Sequence, residues 1–292
     1  MYYIVYSLFW LFSLIPLRLL YVISDFFYVL VFYVFKYRRE VVEKNLLLAF
    51  PEKTEKERTL IAKKFYRNLI DTFIETIKAF SAGKKFINKH CTADFSIIHR
   101  LEDQGKAIQL HPAHQFNWEW INLHFSLHVR LPRLLVYMPL TNKLFERIFM
   151  KLRSKNGSIL LPATDIKKSF MPWRNVPHII GLVADQNPGH PGNAFWFNFF
   201  NKPVPFLKGP EKAAREKACP VVFVFIKKIK RGYYHSDFIL ATEDASLLKE
   251  GILTKMYKDA LVDSMKEQPE NWLWSHRRWK WNWQPEYGEV LD

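Results

Sequence analysis

Short apolar runs alternate with polar, helix-forming stretches over most of this chain, and that alternation limits the fold more than any other feature. The runs predict strands at Ala107–Leu110, Leu134–Met138, Ser158–Leu161, His178–Ala184, Val221–Lys227 and Tyr233–Leu240. The other stretches predict helices at Trp118–Leu127, Lys143–Arg153, Asp165–Met171, Glu211–Lys217 and Leu247–Glu267. We therefore expect an α/β fold with a mixed, largely parallel sheet flanked by helices. In such sheets, sites form at the carboxyl ends of the strands.

A long helix is predicted ahead of this sheet. Thr54 and Glu57 fit a capping box, in which each side chain accepts a hydrogen bond from the backbone N–H of the other residue. The residues that follow are apolar at every fourth position: Ile61, Phe65, Leu69, Phe73 and Ile77. Such spacing places one apolar stripe on a helix, and we expect that stripe to face the core.

The beginning of the chain is a second constraint. Tyr2–Phe35 is strongly apolar and is interrupted by Pro16, Arg18 and Asp25. A helix that crosses a bilayer needs about 20 mostly apolar residues, and neither side of the proline supplies a clean span. A proline-kinked span and a shallow helical hairpin both remain open at this point.

Basic residues follow the apolar stretch rather than precede it. Lys36, Arg38, Arg39 and Lys44 come after it, and no small-residue cleavage site is present, so a signal peptide is disfavoured. We expect residues 1–36 to be an uncleaved membrane anchor and residues 37–292 to be one further domain. Because positive charge flanks the cytoplasmic end of an anchor, that domain is expected on the cytoplasmic side.

The chain is basic, with 43 Lys and Arg against 28 Asp and Glu and a net charge of +15. Nucleic acid, an anionic membrane surface and an acidic protein or ligand all suit such a charge. No zinc-finger, RNP or helix-turn-helix pattern is present, so we expect no nucleic-acid partner. An anionic membrane suits best, because it also accounts for the apolar beginning. Cys91 and Cys219 match neither a disulfide framework nor a metal site, and no metal or cofactor is expected.

One segment has the pattern most typical of an active site. His114 lies in a turn between the predicted strand that ends at Leu110 and the helix that begins at Trp118. Glu119 lies in the first turn of that helix, for which Asn117 is a suitable N-cap. The turn can bring imidazole and carboxylate together. A neutral histidine can then take a proton from a hydroxyl, while the carboxylate fixes its tautomer and stabilises the imidazolium.

Spacing alone leaves alternatives open. His114 could be an ordinary turn residue, and Glu119 could be a carboxylate that suits the helix dipole. His111 is a rival base in the same segment. Near the end of the chain, basic residues are interleaved with tryptophans, a pattern that fits either a lipid interface or a terminal segment packed on the core.

The His114-x4-Glu119 pattern after an apolar strand resembles the H-x4-D/E motif of the glycerolipid and lipid A acyltransferase superfamily. Further segments are similar to the late (lauroyl/myristoyl) acyltransferases of lipid A biosynthesis: Asn45–Glu52, Leu152–Ser154, Ala184–Gly189 and Pro269–Lys280. They cover nearly the whole chain in the family's order, and the last, with its W-x-H-R-R-W-K block, is the most specific. The E-G-T-R block of the glycerolipid enzymes is missing, which favours the lipid A branch. Asp185-Gln186-Asn187 stands where many members have Asp-His-Asp, which leaves the acceptor open.

The resemblance implies that residues 37–292 are an acyltransferase domain. It implies His114 as general base, Glu119 as its partner, and Arg153 as a cation that stabilises an oxyanion or binds a phosphate. The implied substrate-binding residues are Asp185, Gln186, Lys208, Gly209, His276, Arg277 and Arg278. Asp185 could also simply begin a turn, Lys208 and Gly209 could simply open a helix, and Arg153 could be a solvated helix end.

The reaction implied is transfer of a fatty acyl chain from an acyl thioester to a hydroxyl of lipid A or its precursor, at the bacterial inner membrane. The donor would be an acyl carrier protein or coenzyme A thioester; both are anionic and suit a basic surface. A lysophospholipid or an aminolipid of the ornithine or glycine type remains an alternative acceptor. A membrane lipid-binding protein without turnover is the alternative from another class.

Overall fold

The computed structural model of the chain describes residues 1–291 and has the α/β architecture that the alternation predicts. The helices are α1 Tyr2–Leu14, α2 Leu17–Val29, α3 Arg39–Ala49, α4 Glu55–Lys78, α5 Lys84–His90, α6 Ser96–Asp103, α7 Trp118–His128, α8 Lys143–Arg153, α9 Ile166–Phe170, α10 Gly209–Glu216 and α11 Ile252–Glu267. The strands are β1 Cys91–Ala93, β2 Ile108–Pro112, β3 Arg133–Tyr137, β4 Ile159–Pro162, β5 Ile179–Gly181, β6 Ala194–Phe199, β7 Lys202–Leu207, β8 Val221–Lys230, β9 Tyr233–Thr242 and β10 Val290–Leu291.

The main sheet is mixed and largely parallel. Its strand order is β1-β9-β8-β2-β5-β3-β4, and every neighbouring pair is parallel except β8 and β9. Strand β2 has β5 on one side, with Leu110 opposite Gly181, and β8 on the other, with Pro112 opposite Val224. The segments that follow β2 and β5 therefore leave the sheet side by side.

A smaller sheet of β10, β6 and β7 was not predicted. Strands β6 and β7 form an antiparallel hairpin, and Pro203 and Pro205 lie within β7. Proline weakens a strand pattern because it cannot donate to the ladder. Helix α11 begins at Ile252 rather than at Leu247, because the chain first makes a tight turn and Gly251 has a φ of 88° that favours glycine.

The local caps agree with the sequence. The Thr54 hydroxyl accepts a hydrogen bond from the Glu57 N–H at 3.3 Å, and the Glu57 carboxylate accepts one from the Thr54 N–H at 2.7 Å. Asn117 caps α7 by accepting from the Trp120 N–H at 3.2 Å. Cys91 and Cys219 are both buried and free.

Aromatic side chains fill much of the core. Trp272, Trp274 and Trp279 of the terminal block are buried, and the ring of Trp279 stacks on Phe199 of β6. These tryptophans therefore pack the end of the chain against the small sheet rather than face a lipid interface. Of the predicted stripe on α4, Ile61, Phe65 and Leu69 are buried, but Phe73 is 59% exposed.

The first two helices, α1 and α2, meet at a kink at Pro16. Helix α2 packs along α4, whereas α1 contacts the end of α4 and α8 rather than folding back on α2. One segment, Leu17–Val34, is long and apolar enough to cross a membrane, and it is mostly uncovered by the rest of the chain. The inward side of α2 is polar: Tyr21 donates to Glu75 at 2.6 Å and Ser24 donates to Asp71 at 2.7 Å. The outward side exposes large apolar side chains, so the N-terminal helices have one face against the domain and one without a protein partner among the described residues.

Candidate active site

The turn after β2 carries His114 and is fixed from two directions. The carbonyl of His114 accepts a hydrogen bond from the Leu273 N–H at 3.1 Å. The side chain of Gln115 accepts one from the Ile226 N–H of β8 at 2.8 Å. The terminal block and the neighbouring strand therefore hold the turn between β2 and α7 in one position.

His114 pairs with Asp185, which follows β5. The Nδ1 of His114 is 2.6 Å from Oδ1 of Asp185, and the backbone N–H of His114 donates to Oδ2 at 2.9 Å. The carboxylate is fully buried, whereas the imidazole side chain keeps 28% of its surface exposed. Because Nδ1 faces the carboxylate, it carries the proton and Nε2 is left as the basic nitrogen.

The contact between His114 and Asp185 shifts the pKa values of both side chains. Burial lowers the pKa of His114, but the charge and hydrogen bond of Asp185 outweigh it, so the pKa lies above its usual 6.5. Burial raises the pKa of Asp185, but the same histidine and the hydrogen bonds it receives leave that pKa below 3.8. Trp272 supplies one of these bonds from its Nε1 to Oδ2 at 2.8 Å.

Among the described residues, His114 and Glu119 do not form the hydrogen bond that the sequence predicts. Glu119 instead pairs with Arg153 at the end of α8, whose Nε and Nη2 both lie within hydrogen-bonding distance of Oε1, at 2.9 and 2.6 Å. The physical reason is that Asp185 occupies the Nδ1 side of the imidazole. Asp185 was predicted as a substrate-binding residue or a turn residue, and here it is the partner of His114.

Arg153 remains close to the histidine. Its positive charge acts on His114 and lowers the pKa of the imidazole, and its side chain is 31% exposed. Burial lowers the pKa of Arg153 and the Glu119 carboxylate raises it, with a net increase. A mostly apolar rim adjoins it. The rim is formed by Tyr137, Leu140, Phe149, Met150 and Leu160 together with Glu146, and it surrounds a cavity of only about 10 Å³. The site thus joins a base, a fixed cation and an apolar surface.

The basic residues of the terminal block have different environments. Arg277 is exposed, but Arg278 is completely buried over the ring of Phe206 and donates to Asn187 Oδ1 at 2.8 Å, which contradicts its expected place in a substrate-facing surface. The Nε2 of His276 accepts from the Asn187 N–H at 3.3 Å. Burial and the charge of Arg278 lower the pKa of His276 to about 4, so it is neutral near pH 7.

The remaining predicted residues lie around or away from the pair. Gln186 is half-buried beside Asp185, whereas Lys208 and Gly209 line a different cavity of about 780 Å³ at the start of α10. The rival base His111 is buried, and burial lowers its pKa to about 3. Its Nε2 lies 2.6 Å from the Gln109 side-chain nitrogen, so it is an internal residue of β2.

The sequence analysis missed Glu75 of α4. Its buried carboxylate accepts hydrogen bonds from Asn117 at 2.8 Å, Tyr21 at 2.6 Å and Tyr234 at 2.7 Å. Glu75 therefore links α2 to the N-cap of α7. Glu75 lies outside the apolar stripe and shares a helical face with Asn68, Asp71 and Thr72, so its sequence pattern is that of an ordinary polar face.

This geometry defines a class before any comparison: an α/β protein with a carboxylate-held histidine at the carboxyl edge of its sheet, beside a paired arginine and an apolar rim. The chain belongs to the bacterial lipid A biosynthesis acyltransferase family, whose model matches residues 1–281. It is an acyltransferase, as the names of its relatives also indicate.

The relatives are distant in sequence, but each match covers most of both proteins. The chain is 24% identical over 248 residues to the lipid A biosynthesis lauroyltransferase of Escherichia coli K12, covering 84% of this chain and 80% of that protein. It is 20% identical over 247 residues to the lipid A biosynthesis palmitoleoyltransferase of the same strain, covering 84% and 79%. A lipid A biosynthesis acyltransferase of Shigella flexneri matches to the same extent. The family predicted from the motifs is thereby confirmed.

Proposed function

We propose that this protein transfers a fatty acyl chain from an acyl thioester to a hydroxyl of lipid A or its precursor, with His114 as the general base. The observation that carries the proposal is the 2.6 Å contact between His114 Nδ1 and the buried Asp185 carboxylate. That contact directs Nε2 outward as a base, in the manner of a histidine-carboxylate pair. The relatives named for lipid A acyl transfer support the choice of acceptor.

The proposed reaction needs no protein nucleophile. Nε2 of His114 takes the proton of the acceptor hydroxyl as its oxygen attacks the thioester carbonyl. A carbon–oxygen bond forms, the carbon–sulfur bond then breaks, and the departing thiolate receives the proton from Nε2. Asp185 stabilises the imidazolium that exists between the two proton transfers.

Arg153 is proposed to stabilise the negative charge that develops on the carbonyl oxygen. Its Nε and Nη2 are engaged with Glu119, and no acceptor among the described residues is bonded to Nη1. Glu119 is thus a positioning residue in this proposal, since it holds the guanidinium rather than the imidazole.

The donor is proposed to be an acyl carrier protein or coenzyme A thioester. The N-terminal helices are proposed to hold the domain at the cytoplasmic face of the inner membrane. The basic net charge of +15 supports an anionic donor and an anionic bilayer. Residues 1–36 and 37–292 remain the proposed anchor and catalytic domain.

The decisive experiment compares His114→Ala with His190→Ala, which removes an exposed histidine. Each variant is expressed in cells that lack this protein, and their lipid A is examined by mass spectrometry. We expect His190→Ala to restore the missing acyl group and His114→Ala to lose about 10²- to 10⁴-fold in transfer rate, the usual contribution of a general base. Full restoration by His114→Ala would exclude the mechanism, and an unchanged lipid A profile without the protein would exclude the acceptor.

A further inference from the structure

A second cavity, of about 530 Å³, lies apart from the His114 turn. It is enclosed by α2, α4, the turn between β8 and β9, and the segment before Trp272, and it contains none of the residues of the proposed reaction. Its volume lies within the range of about 300–1,000 Å³ that is usual for small-molecule sites. Five cations line it: Lys64, Arg67, Lys228, Lys230 and Arg231.

Two of these cations are neutralised within the protein. Arg231 donates to Asp25 at 2.9 Å and to Asp71 at 2.6 Å. Lys228 donates to Asn68 at 2.8 Å and to Asp71 at 3.3 Å. These contacts use both aspartates of the cavity and join α2 and α4 to the end of β8.

The other three cations have no close carboxylate partner that neutralises them. Lys64 is 3.9 Å from Glu270, at the long end of an ion-pair distance, and its own side chain is exposed. Arg67 lies over the ring of Tyr28 at 4.9 Å and Lys230 over Tyr233 at 4.3 Å, and neither is paired with a carboxylate of the described residues. The five cations thus exceed the three lining carboxylates by two charges.

The floor of the cavity is held rigid by side-chain amides. Gln268 accepts from the Lys228 N–H at 2.8 Å and donates to the carbonyl of the same residue at 3.1 Å. Asn271 donates to the Ile226 carbonyl at 2.6 Å.

We propose that this cavity binds a phosphate ester, with Arg67 and Lys230 as its principal contacts. A phosphate monoester carries a charge of about −1.5 to −2 near pH 7, which matches the excess of two cations. Arginine and lysine are the side chains suited to phosphate oxygens. The cavity borders α2, whose Val22 and Phe26 are 65% and 61% exposed. A lipid with its chains along α2 would place its headgroup at this opening.

Binding to the purified full chain in detergent tests this inference directly. The probes are dihexanoyl phosphatidate, dihexanoylglycerol without the phosphate, and coenzyme A. The variant Arg67→Gln with Lys230→Gln is compared with Lys85→Gln with Lys249→Gln, which removes the same charge from exposed positions elsewhere. We expect the first pair to weaken binding of a phosphate probe by about tenfold or more, since the charge-assisted hydrogen bonds to the phosphate oxygens are lost. The second pair should change it little.

Each outcome has a distinct meaning. A loss of binding in Arg67→Gln with Lys230→Gln that is confined to phosphatidate identifies a lipid headgroup as the source. A loss confined to coenzyme A identifies a soluble ester, and a loss for both probes identifies a general phosphate-ester site. No binding of either phosphate probe, equal binding of dihexanoylglycerol, or equal loss in the two charge-matched variants overturns the proposal. Because His114→Ala leaves this cavity intact, its binding separates failure of this site from failure of the proposed reaction.

Discussion

The contact between His114 and Asp185 makes the proposed reaction dependent on pH in a defined direction. A base must be unprotonated, and the Asp185 carboxylate keeps the pKa of His114 above 6.5 although burial lowers it. We expect kcat/KM to fall as the pH drops below that pKa and to level off above it. The measurement is initial rate against pH with the acyl donor and acceptor at low concentration.

Asp185→Asn should move this profile. Without the negative charge, burial and Arg153 lower the pKa of His114, so the acidic limb of kcat/KM shifts to lower pH. The plateau should also fall by about 10²- to 10⁴-fold, because the imidazolium loses its partner. Asp94→Asn, at an exposed position, is the control. An acidic limb that stays in place while the rate falls would show that the carboxylate does not act through the histidine.

Arg153 provides a separate test at residue scale. Arg153→Lys keeps the charge but loses the two-nitrogen contact with Glu119, so the cation is no longer fixed. We expect the rate of acyl transfer to fall by about 10²- to 10³-fold, as for loss of one oxyanion donor. Arg147→Lys on the same helix is exposed and should change little. Equal effects of the two substitutions would exclude a specific role for Arg153.

The sequence selected residues that the structure brings together at the candidate site, but it did not predict which carboxylate pairs with the histidine. His114, Glu119, Arg153 and Asp185 were all selected from the sequence, yet the histidine was assigned the wrong carboxylate. Glu119 is near in sequence, whereas Asp185 reaches His114 because β5 lies next to β2 in the sheet. A sequence pattern gives strand order along the chain and not strand order in space.

Among the elements, α4 carries the least expected feature, the buried Glu75. Burial raises the pKa of Glu75 from 4.5 to about 7, although Lys228 and two tyrosine hydrogen bonds oppose this. The folded state therefore holds this proton more tightly than the unfolded state. That contribution to stability is complete below pH 4.5 and is lost as the pH rises through about 7.

Glu75→Gln should remove this dependence. The pKa difference corresponds to a loss on the order of 3 kcal/mol of unfolding free energy between acidic and alkaline conditions, and an uncharged glutamine cannot contribute it. Denaturant titrations of the detergent-solubilised protein at pH 5 and pH 8 measure the change. Glu43→Gln, whose side chain is 51% exposed, is the control. An identical pH dependence in wild type and Glu75→Gln would contradict the prediction.

Element type was easier to predict than element extent. The helix Lys143–Arg153 has the predicted boundaries, because Asn142 caps it and the apolar face is regular. The predicted strand His178–Ala184 is reduced to Ile179–Gly181, because the chain leaves the sheet to place Asp185 against His114. The hairpin of β6 and β7 was missed because its prolines hide a strand that is stabilised by aromatic packing.

At the scale of the whole molecule, the uncovered face of the N-terminal helices α1 and α2 predicts how the protein is held at a bilayer. Replacing Leu8, Leu11, Val22 and Phe26, all exposed, by asparagine removes apolar surface without touching the polar contacts to α4. We expect the protein to move from the membrane fraction to the soluble fraction after centrifugation. The control variant, Leu247→Asn with Ile239→Asn, changes exposed sites outside the N-terminal helices and should stay in the membrane fraction. Retention of the first variant would exclude this face as the attachment surface.

The overall architecture was predictable because it depends on periodicity and on short-range signals such as the Thr54 cap. The division into an N-terminal anchor and a separate domain is less sharp than the sequence indicates. Asp25 of α2 is bonded to Arg231, and Lys78 of α4 donates to the carbonyls of Ser13 and Ile15. Such long-range polar contacts leave no periodic mark in the sequence.

These contacts also bear on how the enzyme can be produced. Removing an apolar leader is the usual route to a water-soluble form of a membrane enzyme. Here the removal would expose Asp71 and Glu75, and Arg231 would lose its contact with the Asp25 carboxylate. The shortened chain would expose polar side chains of α4 beside the proposed phosphate-ester cavity, and one of them, Glu75, is bonded to Asn117 at the start of α7. Detergent or lipid discs, with the first helices retained, are therefore the form in which this protein should be crystallised and assayed.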